Sequence, residues 1–502
     1  MKKYLFILLF LNLSFSQSQV FELLDSNQTG VEFNNFIEDK KEHNILLYAN
    51  YYGGGGVGIA DFDNDGLQDI YFGGNLVSDV IYRNLGDFKF EDKTINSGIN
   101  DNGSWSSGVT IADVNNDGLV DVYVSKELYD DKPELRRNKL YINKGNFTFE
   151  EASKSWGVDV SARTRHAVFF DYNNDGHLDL YLLNQPPNPG SYSKFFGSDL
   201  TLPEYSLQLF RNTGSNSFID VTEEAGLKRT GFPNSVVASD LNNDGLVDLY
   251  VANDFDAPDF LYFNNGDGTF SYETESSLKH TSFYSMGVDS ADINNDGELD
   301  VMVVDMTAED NFRLKSNMSG MNPSAFWKVV ENGGHFQYMF NTLQINNGDK
   351  TFSDVAQYTK TSSTDWSWAN LIADFDNDGL KDIYVTNGLL RDIRNTDADK
   401  KVGEFVLKIA DDYVKKNKTF DYNLWDILPL DKALEFVPSV KIKNYLYKNY
   451  GDLDFKNEAK LWGVDQPSFS NGASYADLDN DGDLDLVVSN VNEPAFIYKN
   501  NS

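Results

Sequence analysis

The sequence predicts an all-β fold, a seven-bladed β-propeller of four-stranded antiparallel blades with partly helical insertions on one face. Three observations predict this fold. A nine-residue acidic motif recurs seven times, short β-branched and aromatic runs flank each copy, and two further strand-like runs follow it. A propeller suits such a repeat because radially packed blades hide their sheet edges from solvent.

The acidic motif reads DFDNDGLQD in its first copy, which begins at Asp61. Every copy has Asp at positions 1, 5 and 9, Asp or Asn at position 3, and Gly at position 6. Chance does not produce seven matches to one spacing. The later copies begin at Asp113, Asp171, Asp240, Asp292, Asp374 and Asp477.

The strands of a unit follow from the residues around its motif. In the first unit, residues 56–60 precede the motif and residues 70–72 follow it, and both runs are short and rich in strand-forming residues. A third run ends in a turn that contains glycine, and a fourth run begins with phenylalanine. The phenylalanines that begin the fourth run include Phe90, Phe149, Phe218 and Phe352.

The two ends of the chain complement each other. The seventh unit has a third strand around Ile497, but the sequence ends before a fourth. Residues 20–30 resemble residues 90–98, which begin with the fourth strand of the first unit. We therefore expect the segment 20–30 to pair with the strand around Ile497 and close the last blade.

Three long insertions interrupt the repeat, at residues 183–206, 305–338 and 387–443. Each leaves the blade directly after the strand that follows an acidic motif, so all three should gather on one face. Residues 404–410 have apolar positions spaced by three and four, which predicts an amphipathic helix in the last insertion.

The N-terminus predicts export. Lys2 and Lys3 precede an apolar run of about ten residues, and Ser16 ends a short stretch of the kind that signal peptidase cuts. A membrane anchor would need about 20 apolar residues. We therefore expect a signal peptide at 1–16, a propeller domain at 17–502, no membrane span, and a secreted, periplasmic or cell-surface location.

Composition excludes several classes of partner and chemistry. The net charge of −36 would repel nucleic acid and anionic membranes over most of the surface. The absence of cysteine excludes disulfides and a thiol nucleophile. Such acidity suits a protein that binds cations, and a complete propeller is expected to be monomeric.

The acidic motif has the ligand pattern of a calcium site. Calcium takes six to eight oxygen ligands at about 2.3–2.6 Å. Positions 1, 3, 5, 7 and 9 supply them, position 7 through its backbone carbonyl, and the glycine permits the positive φ that turns the chain around the ion. Six or seven calcium ions are expected. Their ligands are Asp61, Asp63, Asp65, Leu67, Asp69, Asp113, Asn115, Asp117, Leu119, Asp121, Asp171, Asn173, Asp175, His177, Asp179, Asp240, Asn242, Asp244, Leu246, Asp248, Asp292, Asn294, Asp296, Glu298, Asp300, Asp374, Asp376, Asp378, Leu380, Asp382, Asp477, Asp479, Asp481, Asp483 and Asp485.

Magnesium, zinc and a plain turn each fit the motif less well than calcium does. Magnesium prefers an octahedral shell with retained waters, and zinc prefers His and Cys. A plain turn needs only one or two of these residues. Asn at position 3 keeps an oxygen but loses a charge, so four loops are expected to bind calcium less tightly than the three all-Asp loops. These four carry Asn115, Asn173, Asn242 and Asn294.

The motif and its flanking runs resemble the FG-GAP or VCBS repeat proteins, whose calcium loops also occur in integrin α-subunit head domains. GVTIAD, ending at Asp113, together with LYIN, ending at Asn143, is most similar to bacterial relatives of cartilage acidic protein, of the ASPIC/UnbV type. Those relatives usually carry an ASPIC/UnbV domain after the propeller. This sequence stops at Ser502 without one, so it is either a short member or a fragment, and the function of that domain is not carried over. The resemblance implies extracellular calcium binding and adhesion or ligand recognition, and no chemistry.

The residue eight positions before the motif is aromatic in five of the seven copies. At the start of an inner strand, such a residue can pack between blades or face the central opening and bind a ligand. The sequence leaves both possibilities open. The candidate ligand-binding residues are Trp105, Arg163, Arg165, His166, Phe232, Tyr284, Trp366, Trp368 and Phe469.

Two classes of function remain. The first is a non-catalytic recognition or adhesion module for a protein or glycan ligand. The second is a polysaccharide-active lyase or hydrolase on the same calcium scaffold, with acids and bases in the insertions. None of the five histidines lies in a nucleophile or metalloprotease pattern, which favours the first class. Candidates for the second class are Asp305, Glu309, Asp310, Arg313, His335 and Arg391.

Overall fold

The structure is a computed structural model that describes residues 19–101, 103–186, 205–255, 257–317 and 322–502. Over these residues the chain forms seven four-stranded antiparallel sheets, each built from one unit of the repeat. The predicted seven-bladed propeller is therefore confirmed. The expected signal peptide at 1–16 and most of the insertion at 183–206 lie outside the described residues.

Each blade runs from an inner strand at the axis to an outer strand at the rim. In the first four blades the strands are Val57–Ala60, Asp69–Phe72, Val80–Asn84 and Phe90–Asp92; Trp105–Ala112, Asp121–Glu127, Lys139–Asn143 and Phe149–Glu151; Arg163–Phe170, Asp179–Gln185, Gln208–Asn212 and Phe218–Asp220; and Pro233–Ser239, Asp248–Asn253, Phe260–Asn264 and Phe270–Tyr272. In the last three they are Val288–Ala291, Asp300–Val303, Thr342–Asn346 and Phe352–Asp354; Ser367–Ala373, Asp382–Asn387, Tyr445–Asn449 and Phe455–Asn457; and Ser470–Ala476, Asp485–Asn490, Phe496–Asn500 and Phe21–Leu24.

The last blade takes its outer strand from the N-terminus. Phe21–Leu24 pairs antiparallel with Phe496–Asn500, and Phe21 lies opposite Asn500. The strand is shorter than the segment 20–30, because a helical turn over Ser26–Thr29 follows it directly. Three strands from the C-terminus and one from the N-terminus thus close the ring.

Helical turns after the outer strands belong to the repeat, although the sequence patterns did not indicate them. They span Ser26–Thr29, Ser153–Trp156, Thr274–Ser277, Ala356–Thr359 and Ala459–Trp462. Several end at a glycine with positive φ, such as Gly157 and Gly463. These turns are too short to show a helical period, so only the closing glycine could have signalled them.

An apolar core lies between each pair of neighbouring blades. The second strand of a blade is buried on both faces, so adjacent residues face different cores. Ile70 packs with Val487 of the seventh blade, whereas Tyr71 packs with Val122 of the second. Burial on both sides explains why the runs after the motifs are continuously apolar rather than alternating.

The acidic motifs and the insertions lie at opposite faces. A motif connects the first strand of a blade to the second. An insertion connects the second strand to the third, and because the strands are antiparallel, this connection lies at the opposite end of the blade. Additional short strand pairs occur there, Thr281–Ser282 with Gln337–Tyr338 and Ile442–Lys443 with Pro467–Ser468. The insertion helices are Asn311–Asn317, Pro323–Glu331, Thr396–Asn417, Leu424–Ile427 and Leu430–Leu434.

The predicted helix at 404–410 lies inside the long helix Thr396–Asn417. The insertions at 305–338 and 387–443 contact each other, since Arg313 Nη1 lies 3.2 Å from Asp392 Oδ2 and Asn395 donates to Asn317 at 3.0 Å. Among the described residues, no helix is both long and apolar enough to cross a membrane.

Candidate metal loops and central pocket

The Asp at position 9 anchors each acidic loop to its blade. In the first loop, Asp69 Oδ2 accepts the Phe62 N–H at 2.8 Å and Oδ1 accepts the Asn84 N–H at 2.7 Å. The same two bonds recur in all seven loops. Burial raises the pKa of Asp69 to about 7 despite these bonds. A nearby cation would stabilise its ionised form.

Positions 1 and 5 shape the turn. Asp61 accepts the N–H of Asp65 at 3.1 Å and that of Gly66 at 2.7 Å, while Asp65 accepts the N–H of Leu67 at 3.0 Å. Gly66 has a φ of 88°, and a Cβ there would meet nothing within 4 Å. The glycine is therefore required by backbone conformation rather than by space.

Position 3 points into the loop. In the all-Asp loops, the Oδ1 atoms of Asp63, Asp376 and Asp479 are buried and have no hydrogen-bond partner. In each of these loops, carboxylate oxygens from positions 1, 3 and 9 lie within 4.8 Å of one another. Two ligands of one calcium ion can be no more than about 5 Å apart. The donor set and its spacing therefore fit calcium.

The loops with Asn at position 3 are arranged differently. Asn115 Nδ2 donates to Asp117 Oδ2 at 2.9 Å, and Asn115 Oδ1 accepts the Asp117 N–H at 3.0 Å. Equivalent bonds form in the third and fifth blades. In the fourth blade, both amide atoms of Asn242 are buried without a partner. An oxygen is available at position 3 in all four loops.

One set of asparagines links the loops into a ring, a second set joins four pairs of neighbouring loops, and the sequence patterns indicated neither. Asn143, in the third strand of blade 2, donates from Nδ2 to the Phe62 carbonyl of blade 1 at 2.8 Å and to its own Val120 carbonyl at 3.0 Å. The recurrence of this residue two positions before the turn glycine could have signalled it. The set comprises Asn84, Asn143, Asn212, Asn264, Asn346, Asn449 and Asn500.

The second set consists of the asparagines at position 4 of the motifs. Asn64 has a φ of 58° and donates to the Gly118 carbonyl of the next loop at 2.9 Å. The same bond joins blades 2 and 3, blades 5 and 6, and blades 7 and 1. Asn suits this position because it tolerates the left-handed conformation and carries a donor.

A central pocket of about 260 Å³ is lined by the inner strands of all seven blades. Arg165, His166 and Trp368, three of the predicted ligand-binding residues, line it. Burial and the charge of Arg165 lower the pKa of His166 to about 4, so its ring is neutral at pH 7. Asn370 and Asn471 also line the pocket, and their Oδ1 atoms have no hydrogen-bond partner.

The remaining predicted ligand-binding residues lie outside this pocket. Trp105 is fully buried and stacks on Tyr51 at 5.0 Å between ring centres. Phe232 and Arg163 border a separate cavity of about 600 Å³ on the insertion face. Trp366 and Phe469 are buried in one large apolar cluster, and Tyr284 is a half-buried neighbour of that cluster.

Five of the six candidates for catalysis are held in structural contacts, and the sixth, His335, has a buried Nε2 without a hydrogen-bond partner among the described residues. Arg313 pairs with both Asp365 and Asp392. Asp305 is fully buried and accepts the Tyr284 N–H at 3.1 Å. The contacts of the remaining candidates are Glu309 with the Tyr445 hydroxyl, Asp310 with the Arg313 N–H, and Arg391 with the Leu434 carbonyl, while burial lowers the pKa of His335.

Comparison with known proteins identifies relatives. A family model described as FG-GAP-like repeat matches residues 46–124, 130–182, 200–251, 240–303 and 329–385, which is more than half of the chain. Cartilage acidic protein 1 of Homo sapiens is 22% identical over 379 residues, covering 66% of this chain and 56% of the human protein. The Xenopus tropicalis protein of the same name is 25% identical over 380 residues, covering 66% of this chain and 57% of its own length. The chain spans less than two thirds of these curated relatives.

Proposed function

Because the chain belongs to the FG-GAP-like repeat family, we propose that it is an extracytoplasmic, calcium-binding propeller that recognises a protein or glycan ligand without catalysis. The observation that carries the proposal is the buried, unpaired Oδ1 at position 3 of the all-Asp loops, in Asp63, Asp376 and Asp479. A buried carboxylate oxygen without a partner is costly. Coordination to a hard divalent cation removes that cost.

Calcium would supply positive charge and coordination at seven points on the motif face. The loops supply the oxygen ligands, and the asparagine side chains connect neighbouring loops by hydrogen bonds. Calcium titration of the chelated protein tests this assignment. We expect six or seven ions per chain in the wild type and one fewer in Asp376→Ala. Elemental analysis that finds two ions or fewer after dialysis against millimolar calcium would contradict it.

The central pocket is the proposed ligand site. Asn370 and Asn471 line it with buried amide oxygens that have no partner among the described residues, Arg165 offers a cationic edge, and Trp368 offers an aromatic surface. Acceptors beside an aromatic ring suit a ligand rich in hydroxyl donors. The volume of about 260 Å³ lies just below the usual range for ligand pockets, so it suits one sugar ring at the end of a glycan better than a long chain.

Binding experiments with glycan arrays and protein pull-downs, each with calcium and with chelator, test ligand recognition. Asn370→Ala and Asn471→Ala should each abolish capture of the ligand found with the wild type. Trp327→Ala is the control, since Trp327 is exposed on an insertion helix and does not line the pocket. Capture that survives both pocket substitutions would refute this site.

Extracytoplasmic location rests on the leader-like residues 1–16. Calcium sites of extracellular modules commonly bind at about 10⁻⁴–10⁻³ M, a range that cytoplasmic calcium does not reach. The mature N-terminus can be measured by mass spectrometry of the cell fractions. A chain beginning near residue 17 outside the cytoplasm is expected, and an intact leader on cytoplasmic protein would contradict it.

A further inference from the structure

A basic side chain accompanies each all-Asp loop. Arg83 Nη2 lies 2.8 Å from Asp63 Oδ2 and 2.9 Å from Asp65 Oδ2, so it bridges positions 3 and 5. Lys448 bridges the equivalent pair in blade 6, and Lys499 does so in blade 7. All three cations occupy one position, directly before the asparagine that ends the third strand.

Within the described residues, the four remaining blades lack this bridge. The same strand position holds Ile142, Phe263 and Ile345 in three of them. Blade 3 has Arg211 there, which makes no ion pair in the described part of the chain. In three of these blades the position 3 asparagine itself donates to Oδ2 of position 5, at 2.8 to 3.0 Å. In every blade except the fourth, a side-chain donor thus meets position 5 whether position 3 is Asp or Asn.

At positions 1, 3, 5 and 9, this pattern equalises the charge of the two kinds of loop, and position 7 adds one carboxylate to one loop of each kind, Asp483 and Glu298. Counting positions 1, 3, 5 and 9, an all-Asp loop has four carboxylates and one resident cation, whereas an Asn loop has three carboxylates and none. The extra carboxylate therefore comes with its own neutralising partner. Charge alone no longer gives the all-Asp loops a reason to bind calcium more tightly.

We propose that Arg83, Lys448 and Lys499 are resident counter-ions of three calcium loops. Each holds the position 3 and position 5 carboxylates together when no metal is bound, and each weakens calcium binding at its own loop. The inference rests on the proposed calcium binding and adds a positioning role for residues outside the ligand set.

The geometry allows the counter-ion and the metal to be present together. Arg83 contacts the outer oxygens, Oδ2 of Asp63 and Oδ2 of Asp65, while Asp63 Oδ1 remains buried and unpaired on the inner side. The basic side chain therefore fixes the carboxylate with one oxygen aimed into the loop. Two adjacent carboxylates would otherwise repel each other.

The three counter-ions lie in blades 6, 7 and 1, which are consecutive around the ring. Blade 7 is the blade that the N-terminal strand completes, and blades 6 and 1 are its neighbours. The loops around the closure should therefore keep their shape when calcium is scarce. The four Asn loops have no such counter-ion, and three of them are held only by the neutral bond from position 3 to position 5.

Lys448→Met tests the inference, because methionine keeps the apolar stem and removes the charge. The Lys448 side chain is only 14% exposed, so the substitution alters a largely buried contact rather than a solvated surface charge. In excess chelator the variant should melt at a lower temperature than the wild type, since Asp376 and Asp378 then repel unopposed. In calorimetric titration with calcium chloride, one site should bind about tenfold more tightly, the order expected for a unit charge about 5 Å from a divalent ion in water.

Two controls separate charge from packing. Lys448→Arg keeps the charge and should behave like the wild type. Arg211→Met makes the equivalent change beside an Asn loop and should leave both measurements unchanged. Lys499→Met repeats the test in blade 7 if Lys448→Met does not fold.

The outcomes are distinguishable. Lower stability in chelator together with tighter calcium binding supports the counter-ion role. Lower stability with weaker or unchanged calcium binding would mean that the residue merely packs, and would overturn it. A wild type that binds no calcium would overturn the calcium assignment as well, whereas a wild type that binds calcium with no difference in Lys448→Met would overturn the counter-ion inference alone.

Discussion

Replacing Phe21 with alanine should weaken the closure of the propeller. The Phe21 ring is fully buried, and its centre lies 6.0 Å from the Phe375 ring, 6.3 Å from the Trp462 ring and 6.5 Å from the Tyr498 ring. It therefore bridges blade 6 and blade 7 from the N-terminal strand. Without it, the strand keeps only its backbone pairing and the contacts of Leu24.

The expected cost follows from that burial. Truncating a buried phenylalanine to alanine costs about 3–5 kcal/mol. For a domain of this size the unfolding entropy is on the order of 1 kcal/mol/K, so the melting temperature should fall by only about 3–5 °C. Local release of the strand responds more strongly, because each 1.4 kcal/mol changes an equilibrium about tenfold. Opening of the strand should rise by about two to three and a half powers of ten.

Hydrogen exchange measured by mass spectrometry resolves the local effect. Peptides that cover Phe21–Leu24 and its partner Phe496–Asn500 should exchange much faster in the variant, while the remaining blades change little. Leu23→Ala is the matched control, since Leu23 lies on the same strand but is 37% exposed. Unchanged exchange in Phe21→Ala, or equal acceleration in all blades, would refute the reasoning.

Three further predictions concern the loops, the asparagine ring and the pocket. Excess chelator should lower the melting temperature markedly, since each ion held at 100 times its dissociation constant adds about 2.7 kcal/mol, and an unchanged melting curve would argue against metal-braced loops. Asn212→Ala should destabilise the protein by about 2–4 kcal/mol in denaturant unfolding, because it leaves the Val114 and Leu178 carbonyls without their donor. Ser215→Ala in the exposed turn nearby should be neutral, and an equal loss in both variants would contradict the role of the asparagine. The pKa of His166 is lowered to about 4 in the folded protein, so below about pH 6.5 protonation of this histidine favours the unfolded chain. The free energy of unfolding should therefore fall by about 2 kcal/mol between pH 7 and pH 5 because of His166 alone. His166→Asn should remove that part of the drop, and an equally steep loss of stability in the variant would contradict the assignment.

The repeat made most of the fold predictable. Seven copies of one motif set the number of blades, and the missing fourth strand after Ile497 indicated where the N-terminus would pair. The helical turns after the outer strands were not predicted, because four residues such as Ser153–Trp156 show no period. The insertion helices were only partly predicted, since the apolar spacing at 404–410 marks about two turns within the longer helix Thr396–Asn417.

The motif identified candidate ligands but not the contacts that hold them. The link from Asn143 to the preceding blade and the bridge from Lys448 to two carboxylates depend on neighbouring strands, which sequence spacing alone does not bring together. The same limit applies to the pocket. The position eight residues before the motif is the start of the inner strand, yet Trp105 turns into the core, whereas His166 and Trp368, further along the inner strands, line the opening.

The third-strand asparagines make the seven joints of the ring interchangeable. Every blade takes a donor from its successor and gives one to its predecessor, always with the same pair of groups, as Asn143 does toward Phe62 and Asn500 toward Phe375. A duplicated blade inserted at any joint would find both of its partners already in place. The asparagine links therefore do not determine how many blades the ring contains. The number seven follows instead from the seven repeat units in the chain and from the N-terminal strand, which completes the last of them.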